Sequence, residues 1–575
     1  MIPNTLPGST IITQDLPLTF TPPATSGPTV MILGQSLDGP SNLPVSINGI
    51  SDLESFFGPL LYTAQYPSPD GDAGKIGTFS GNTLVKAARE AMLGGATNLL
   101  LVRTGGTIAT SSTGLFAGTL SLSAVFPGAV YNGASIAYTA SAATGTTVTL
   151  TQPQVKGPVF SLVFTALTTF ETIAGAINGD PRNASFRIGT TQLSTSQNAV
   201  TNAGNGTATL GDTGGVLGTN GTLRDDYAGS SKLALYNALT QSGGTFEMIS
   251  GTVADIVTVA GLYADDCVTA TADANATTTS FLTNFAQFCY DESKNSYPMI
   301  GVLGLSPLRQ VDNTTIAARV NALTNPTQTS FANTDTKKLS LGQFLAGGIQ
   351  GSSNSVPVDT GAYLSLVAGP DLIFPDVKLG QYVDSGAAVY AGLLSTLPVQ
   401  RGATNTLMPS ALNTTYRLSR AQRNILNAGV GFTGAANALG GSAFVTFSYS
   451  SYLSQNPQLT VTSDVSASRR SSVYGQTQHL RIVQAAEKLV EYLAYQFIGQ
   501  PNSPTTLMAM DSQLQRVLDG MVTAGALNGG KGSGYKYNIT PGTSNVGTLG
   551  LITITLQLRP AYEITAVITT VAVTQ

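Results

Sequence analysis

Few residues in this chain are placed to do chemistry. His479 is the single histidine. Serine and aspartate are plentiful enough to complete a Ser-His-Asp triad around it in principle. It stands at the start of a helical stretch beside Gln478, however, and reads as a surface or interface residue. Cys267 and Cys289 are the only thiols. They would pair only if the fold brought them together, and two in so long a chain do not make the disulfide framework of a small secreted domain. Two buried free thiols in a reducing compartment are expected. Asp265-Asp266 offers two carboxylates for a cation but reads as a solvated loop. Gly71-Asp72-Ala73-Gly74-Lys75 has the glycines and lysine of a phosphate loop without its spacing, its following Ser/Thr or a preceding strand, and reads as a turn. No His/Cys/carboxylate cluster has metal-ligand spacing. Asn-x-Ser/Thr triplets such as those at Asn183 and Asn313 are expected by chance in a chain this rich in Ser and Thr. The expectation is a protein without catalytic residues, cofactor or metal, and not an enzyme.

The composition points to a different kind of work. At 575 residues the chain has room for three or four domains of roughly 150 residues. Its formal charge is 27 − 31 = −4, and only 10% of its residues are charged, against about 25% in an average soluble protein. A free monomer normally needs a charged surface. A surface of Thr, Ser and Gly suits a subunit covered by copies of itself; it also suits a secreted β-rich adhesin, and composition alone leaves both open. No long basic patch is present, so no direct nucleic-acid partner is implied. The uncharged runs are broken by Thr, Gln, Gly and Ser, so no membrane insertion is expected. No positively charged start like that of a signal peptide is visible.

The elements read as an α/β (α+β) multidomain chain. Residues 1–20 form an extended arm: Ile11, Ile12, Leu16 and Leu18 are spaced among prolines and polar residues without helical period. An α/β core spans 21–104. It holds buried strands at 28–34 and Leu99–Arg103, a short strand at Val45–Ile47 and an amphipathic helix over 83–93. A helical turn at 51–58 has Ser51 as N-cap and Glu54 as its capping-box partner. Residues 105–222 read as an inserted, mainly β domain, with strand-like pieces at 135–139, 147–150 and 160–164 and a helix at 169–178. Residues 223–420 return to strand, helix, strand order, which predicts a parallel, helix-covered layer. In 421–560, apolar stripes predict helices over 478–498 and 507–524, followed by a half-buried strand from Ile552 to Leu558. Residues 561–575 form a second arm, an apolar strand containing Ile564, Ala566, Ile568 and Val571. A strand at a chain end exposes unpaired backbone groups unless something pairs with them. Adding it to a neighbouring copy would supply that pairing.

The order of these elements closely resembles contractile bacteriophage tail sheath proteins. The resemblance lies in Pro7-Gly8, Gly34, Gly39-Pro40, Pro44-Val45 and Phe57-Gly58, and in the helix that ends at Gly94-Gly95 before the strand Leu99–Arg103. It continues in Phe126-Pro127-Gly128-Ala129 with Asn132-Gly133-Ala134-Ser135-Ile136, which opens the insertion. Gly369-Pro370-Asp371 ahead of an alanine-rich helix, and Arg423, Asn424, Leu426, Gly429 and Val430, belong to it as well. It covers about 1–140 and 220–575.

The resemblance implies six-fold rings stacked helically around a tail tube protein, with both arms knitting each subunit to its neighbours. Baseplate and tail terminator proteins would close the two ends. The assembly would form in the host cytoplasm, belong to the virion tail, and contract to drive the tube through the host envelope for genome delivery. The sheath of a phage-derived contractile injection or secretion system is the same class of object and stays open as an alternative. Arg481, Lys488 and Glu491, on the polar side of the 478–498 helix, are expected to face the tube. The chain lacks the family's usual surface charge, which leaves the mode of tube contact open.

Overall fold

The computed structural model describes residues 28–60, 82–190, 205–217, 229–264, 281–324, 349–428, 443–541 and 552–562, less internal stretches of up to seven residues. The expected arms (apart from Ala561 and Tyr562), Gly71–Lys75, Asp265-Asp266 and Cys267 lie outside these residues. The elements in chain order begin with β1 (Val30–Gly34), β2 (Val45–Ile47), α1 (Ile50–Phe57), α2 (Thr83–Leu93) and β3 (Leu99–Arg103). Next come β4 (Leu120–Ala124), β5 (Ser135–Ser141), β6 (Gly145–Thr151), β7 (Phe160–Phe164), α3 (Phe170–Gly179), β8 (Phe186–Thr190) and β9 (Gly206–Thr209). The middle of the chain holds α4 (Gly229–Thr240), α5 (Thr245–Met248), β10 (Ile256–Val259), α6 (Phe281–Lys294), β11 (Ile300–Gly304) and α7 (Asn313–Thr324). It continues through β12 (Gln350–Ser353), β13 (Val356–Asp359), β14 (Leu364–Gly369), β15 (Leu372–Asp376), β16 (Gly380–Asp384), α8 (Ala387–Thr396) and β17 (Asn413–Thr414). The last elements are α9 (Arg420–Ala428), β18 (Val445–Ser450), β19 (Gln458–Val461), α10 (Thr477–Tyr495), α11 (Pro504–Thr523), β20 (Tyr535–Pro541) and β21 (Ile552–Leu558).

An eight-stranded sheet in the order β19-β18-β14-β11-β10-β1-β3-β2 organises the chain. Its six inner strands are parallel, and an antiparallel strand closes each edge. Parallel neighbours need long crossovers, so strands adjacent in space are distant in sequence. For that reason the ranges 21–104, 223–420 and 421–560, separated by the sequence reading, share this one sheet as far as Val461.

Side chains alternate across the sheet. Val30 and Ile32 pack with α2 and α8 on one face, while Met31 and Leu33 pack with α4, α6 and α7 on the other. Both faces are therefore covered, which is why the inner strands read as unbroken apolar runs. The few charges admitted beside the sheet are paired. Lys86 Nζ meets Asp384 Oδ2 at 2.6 Å, and Asp371 Oδ2 accepts from Leu308 N at 2.7 Å with Arg319 at 3.7 Å.

On the α2/α8 side the helices touch backbone to backbone. A methyl group on Gly392 would lie 2.2 Å from the carbonyl oxygen of Ala91, and one on Gly94 would lie 2.2 Å from that of Val389. This contact explains the small-residue sequence of α8, which is buried from Ala387 to Ser395. At the start of this unit the helix boundary differs from the expected one. The N-cap of α1 is Gly49, with no side-chain cap bond. Glu54 instead pairs with Arg89 of α2, an ion pair across two helices in place of a capping box.

The described residues between 109 and 210 pack around a hydrophobic core of their own, with sheets β7-β6-β5-β9 and β4-β8 flanked by α3. Beyond Val461 the chain leaves the central sheet and forms the pair α10 and α11 with the hairpin β20–β21.

The α2–α8 contact yields a stability test. Gly392→Ala is expected to lower the unfolding free energy by about 1–3 kcal/mol through overpacking. Gly520→Ala, in an exposed part of α11 with open space around it, is expected to raise it by about 1 kcal/mol. Denaturant melts of the two variants check this; equal effects would show that backbone contact does not hold these helices together.

Candidate assembly interface

α10 is the element to which the sequence reading assigned partner contacts, and the structure turns its polar side inward. Gln478, Arg481, Gln484 and Lys488 recur every three or four residues and so share one face. Each reaches the chain's own central unit. Gln478 Nε2 donates to Gln400 O. Arg481 Nη2 donates to Leu394 O at 3.0 Å and Leu397 O at 2.7 Å, carbonyls at the C-terminal end of α8. Gln484 Nε2 donates to Met299 O at 3.0 Å, and Lys488 Nζ meets Asp255 Oδ1 at 2.5 Å.

Arg481 is 5% exposed and cannot face a tube from this position. Burial pushes its guanidinium pKa down, and nearby Asp464 and Tyr390 pull it back. Lys488 is engaged with Asp255, and Glu491 is half-buried. Partial desolvation by its neighbours raises the carboxyl pKa of surface-lying Glu487, and Glu491 raises it further. Arg481 departs from the expectation for a physical reason: the first half of α10 is packed on two sides, so its polar stripe is an internal docking surface, while Lys488 and Glu491 stay partly exposed.

His479 is also inside. It is 4% exposed, its Nδ1 is 2.8 Å from Val473 O, and its ring stands edge-on to Tyr562 at 4.6 Å. Cys289 is a buried free thiol on α6; burial raises its pKa, with Glu292 adding to the shift. Among the described residues, no group of three or more His, Cys, Asp or Glu is placed to hold a metal ion. No described helix is long and apolar enough to cross a membrane.

The hairpin β20–β21 is the feature the sequence reading half missed. Strand β21 was expected; β20 was not, although Tyr535-Lys536-Tyr537-Asn538-Ile539-Thr540 alternates apolar and polar residues as β21 does. The two strands pair in register from Tyr535↔Leu558 to Pro541↔Ile552. They form a sheet of two strands only, so among the described residues neither has a ladder partner on its outer side. The inner face (Tyr537, Ile539, Ile554, Leu556 and Leu558) packs on α10 and α11 but is only partly buried. Two-stranded sheets are marginal by themselves, and three or more strands are usually needed to cover such a face. At the elbow between the two helices, Tyr492, Tyr495, Ile498 and Met508 are each more than half exposed. The chain emerges beside this unit at a fixed point. Ala561 N donates to Ala526 O at 2.9 Å, and Tyr562 rests on His479.

Sequence comparison gives no relative: no family model matches the chain, and no curated protein matches it. Solved structures do. The sheath tail protein of Listeria innocua superposes with a TM-score of 0.51 at 12% identity, covering 94% of this chain and 93% of that one.

The fold is that of a tail sheath protein.

Two further likenesses fall short of a TM-score of 0.5. The sheath tail protein of Desulfitobacterium hafniense gives 0.46 at 11% identity, over 93% of this chain and 97% of that one. The contracted baseplate of the anti-feeding prophage gives 0.48 at 11% identity, over 94% and 92%. The assignment rests on the first alone.

The inward stripe of α10 predicts how its residues differ. Arg481→Met removes charged hydrogen bonds in a buried site and is expected to cost about 3 kcal/mol of subunit stability. Lys488→Met breaks a half-exposed pair and is expected to cost under about 1 kcal/mol. Chemical denaturation of the dispersed subunit measures both. A stable Arg481→Met subunit that has lost only its assembly would return Arg481 to an interface role.

Proposed function

We propose that the chain is a structural subunit of a contractile tail sheath and not an enzyme. Copies stack as six-membered rings in a helical array around a tail tube, bounded by baseplate and terminator proteins, in a virion tail built in the host cytoplasm. Contraction drives the tube through the host envelope without nucleotide hydrolysis. The energy then resides in an extended array that relaxes to a contracted one of lower free energy. The sheath fold supports this reading and does not favour the adhesin that composition left open.

One observation carries the mechanism of assembly: the half-covered hairpin β20–β21, with no ladder partner on either outer edge among the described residues beyond a single bridge from Lys531 to Tyr535. The two chain ends supply candidate strands for those edges, the first around Ile11, Ile12, Leu16 and Leu18 and the second around Ile564, Ala566, Ile568 and Val571. Donated to neighbouring copies, they would complete a four-stranded sheet over α10 and α11. Backbone hydrogen bonds would hold the strands and alternate side chains would set register. Head-to-tail donation of this kind does not close on itself pairwise, so it builds rings or helices. Strands on extended arms let subunits reorient without detaching.

Ile564→Pro removes a ladder donor from the terminal strand. Rings and tubes are expected to disappear from electron micrographs while the subunit's melting temperature stays unchanged. If the subunit itself unfolds, the strand belongs to its own core and donation is wrong; if tubes persist, the strand is not the link.

A further inference from the structure

The insertion is joined to the central unit by charge and hydrogen bonding at a boundary where the apolar cores do not merge. Among the described residues, its buried apolar side chains, from Ala109 to Leu210, cluster with one another, and none belongs to the two clusters that cover the central sheet. Asp38, in the turn after β1, and Arg103, at the end of β3, reach across from the central unit. Tyr131 Oη donates to Asp38 Oδ1 at 2.5 Å, and Lys156 Nζ pairs with Asp38 Oδ2. Arg103 Nη1 donates to Gly39 O at 3.0 Å within its own unit and to Pro127 O of the insertion. Lys156 also lies over the Tyr131 ring, 5.5 Å from its centroid. Asp38, Arg103 and Tyr131 are at most 2% exposed.

Such a contact sets position more than it adds stability. Burial pushes the Lys156 ammonium down to about 8 and the Arg103 guanidinium down to about 10. Desolvation therefore offsets much of the Coulombic attraction, as is general for buried ion pairs. Removing one partner strands the other, whereas replacing both with apolar groups leaves no charge unpaired. Directly after Arg103 the backbone passes through Gly105 and Gly106 with φ of 73° and 93°, a left-handed stretch that glycine adopts freely. It can absorb a change of direction there.

We propose that Asp38, Arg103, Tyr131 and Lys156 form a latch that holds the β insertion, a separately packed unit, in one orientation about a glycine pivot at Gly105-Gly106. The latch does not depend on the sheath reading: it concerns the single subunit and is tested there.

The test is hydrogen exchange with small-angle X-ray scattering on the full-length, dispersed subunit. In Lys156→Met, exchange at residues 36–42 and 127–133 is expected to rise about tenfold or more by local opening. The maximum dimension should grow, while protection of β5 and β6 in the insertion and of β1 and β10 in the central sheet stays as in the parent. Asp38→Leu combined with Lys156→Met should lie closer to the parent than the single variant does. Two results overturn the latch: unchanged exchange at the boundary, or loss of protection in β5 and β6 together with it, which would make the cluster part of one cooperative core. If Lys156→Met does not fold, Tyr131→Phe decides. It removes one hydrogen bond and almost no volume, and must loosen the boundary alone; uniform loosening or none refutes the proposal.

Discussion

Six parallel strands lie between two helix layers, so almost no side chain on either face of the inner sheet reaches water. That constraint governs the rest of the chain. The strands must be apolar on both faces, the helices must approach closely enough to exclude water, and any charge admitted must have a partner. Gly94 and Gly392 bring α2 and α8 into backbone contact. Lys86 with Asp384, and Arg319 with Asp371, are among the charges that remain beside the sheet, and both are paired. A chain with only 10% charged residues can satisfy such a core with little left over.

Two units beyond the sheet and its helix layers are attached to it by polar contacts at its margins. α10 docks through Gln478, Arg481, Gln484 and Lys488 on carbonyls and a carboxylate at the ends of sheet elements, and the insertion docks through Asp38 and Arg103. Both attachments are specific in geometry and modest in net energy, because desolvation offsets the attraction. The hairpin β20–β21 is the far end of this arrangement. It has an inner face partly buried by α10 and α11 and two outer edges without partners among the described residues. A charge-poor chain and a hairpin without outer ladder partners among the described residues are what the proposed strand donation accounts for.

Much of the fold was legible in the sequence. The runs at 28–34, Leu99–Arg103 and 299–304 announce strands buried on both faces, and the stripes of α10 and α11 announce helices against a core. What was not legible came from long-range packing. No local pattern tells that β18 and β19 join a sheet begun at Val30. The capping box at Ser51 was sound local chemistry, overridden when Arg89 drew Glu54 into an ion pair. Arg481 was misplaced because a polar stripe looks the same whether it faces solvent, a partner or a rim of backbone carbonyls within the same chain. His479 reads as exposed until Tyr562 returns from sequence far downstream to cover it. Of the candidate interface, β21 was visible by its alternation. β20 carries the same period in a segment opened by glycines, and it went unread.

The account stands on strand donation to β20–β21, and the most direct measurement is electron cryomicroscopy of assemblies formed by the full-length protein. The account predicts tubes or rings in which a strand from a neighbouring copy lies along each outer edge of the hairpin, making four strands over α10 and α11. Assemblies in which both edges stay bare, or in which residues 564–571 close the sheet of their own subunit, would contradict it.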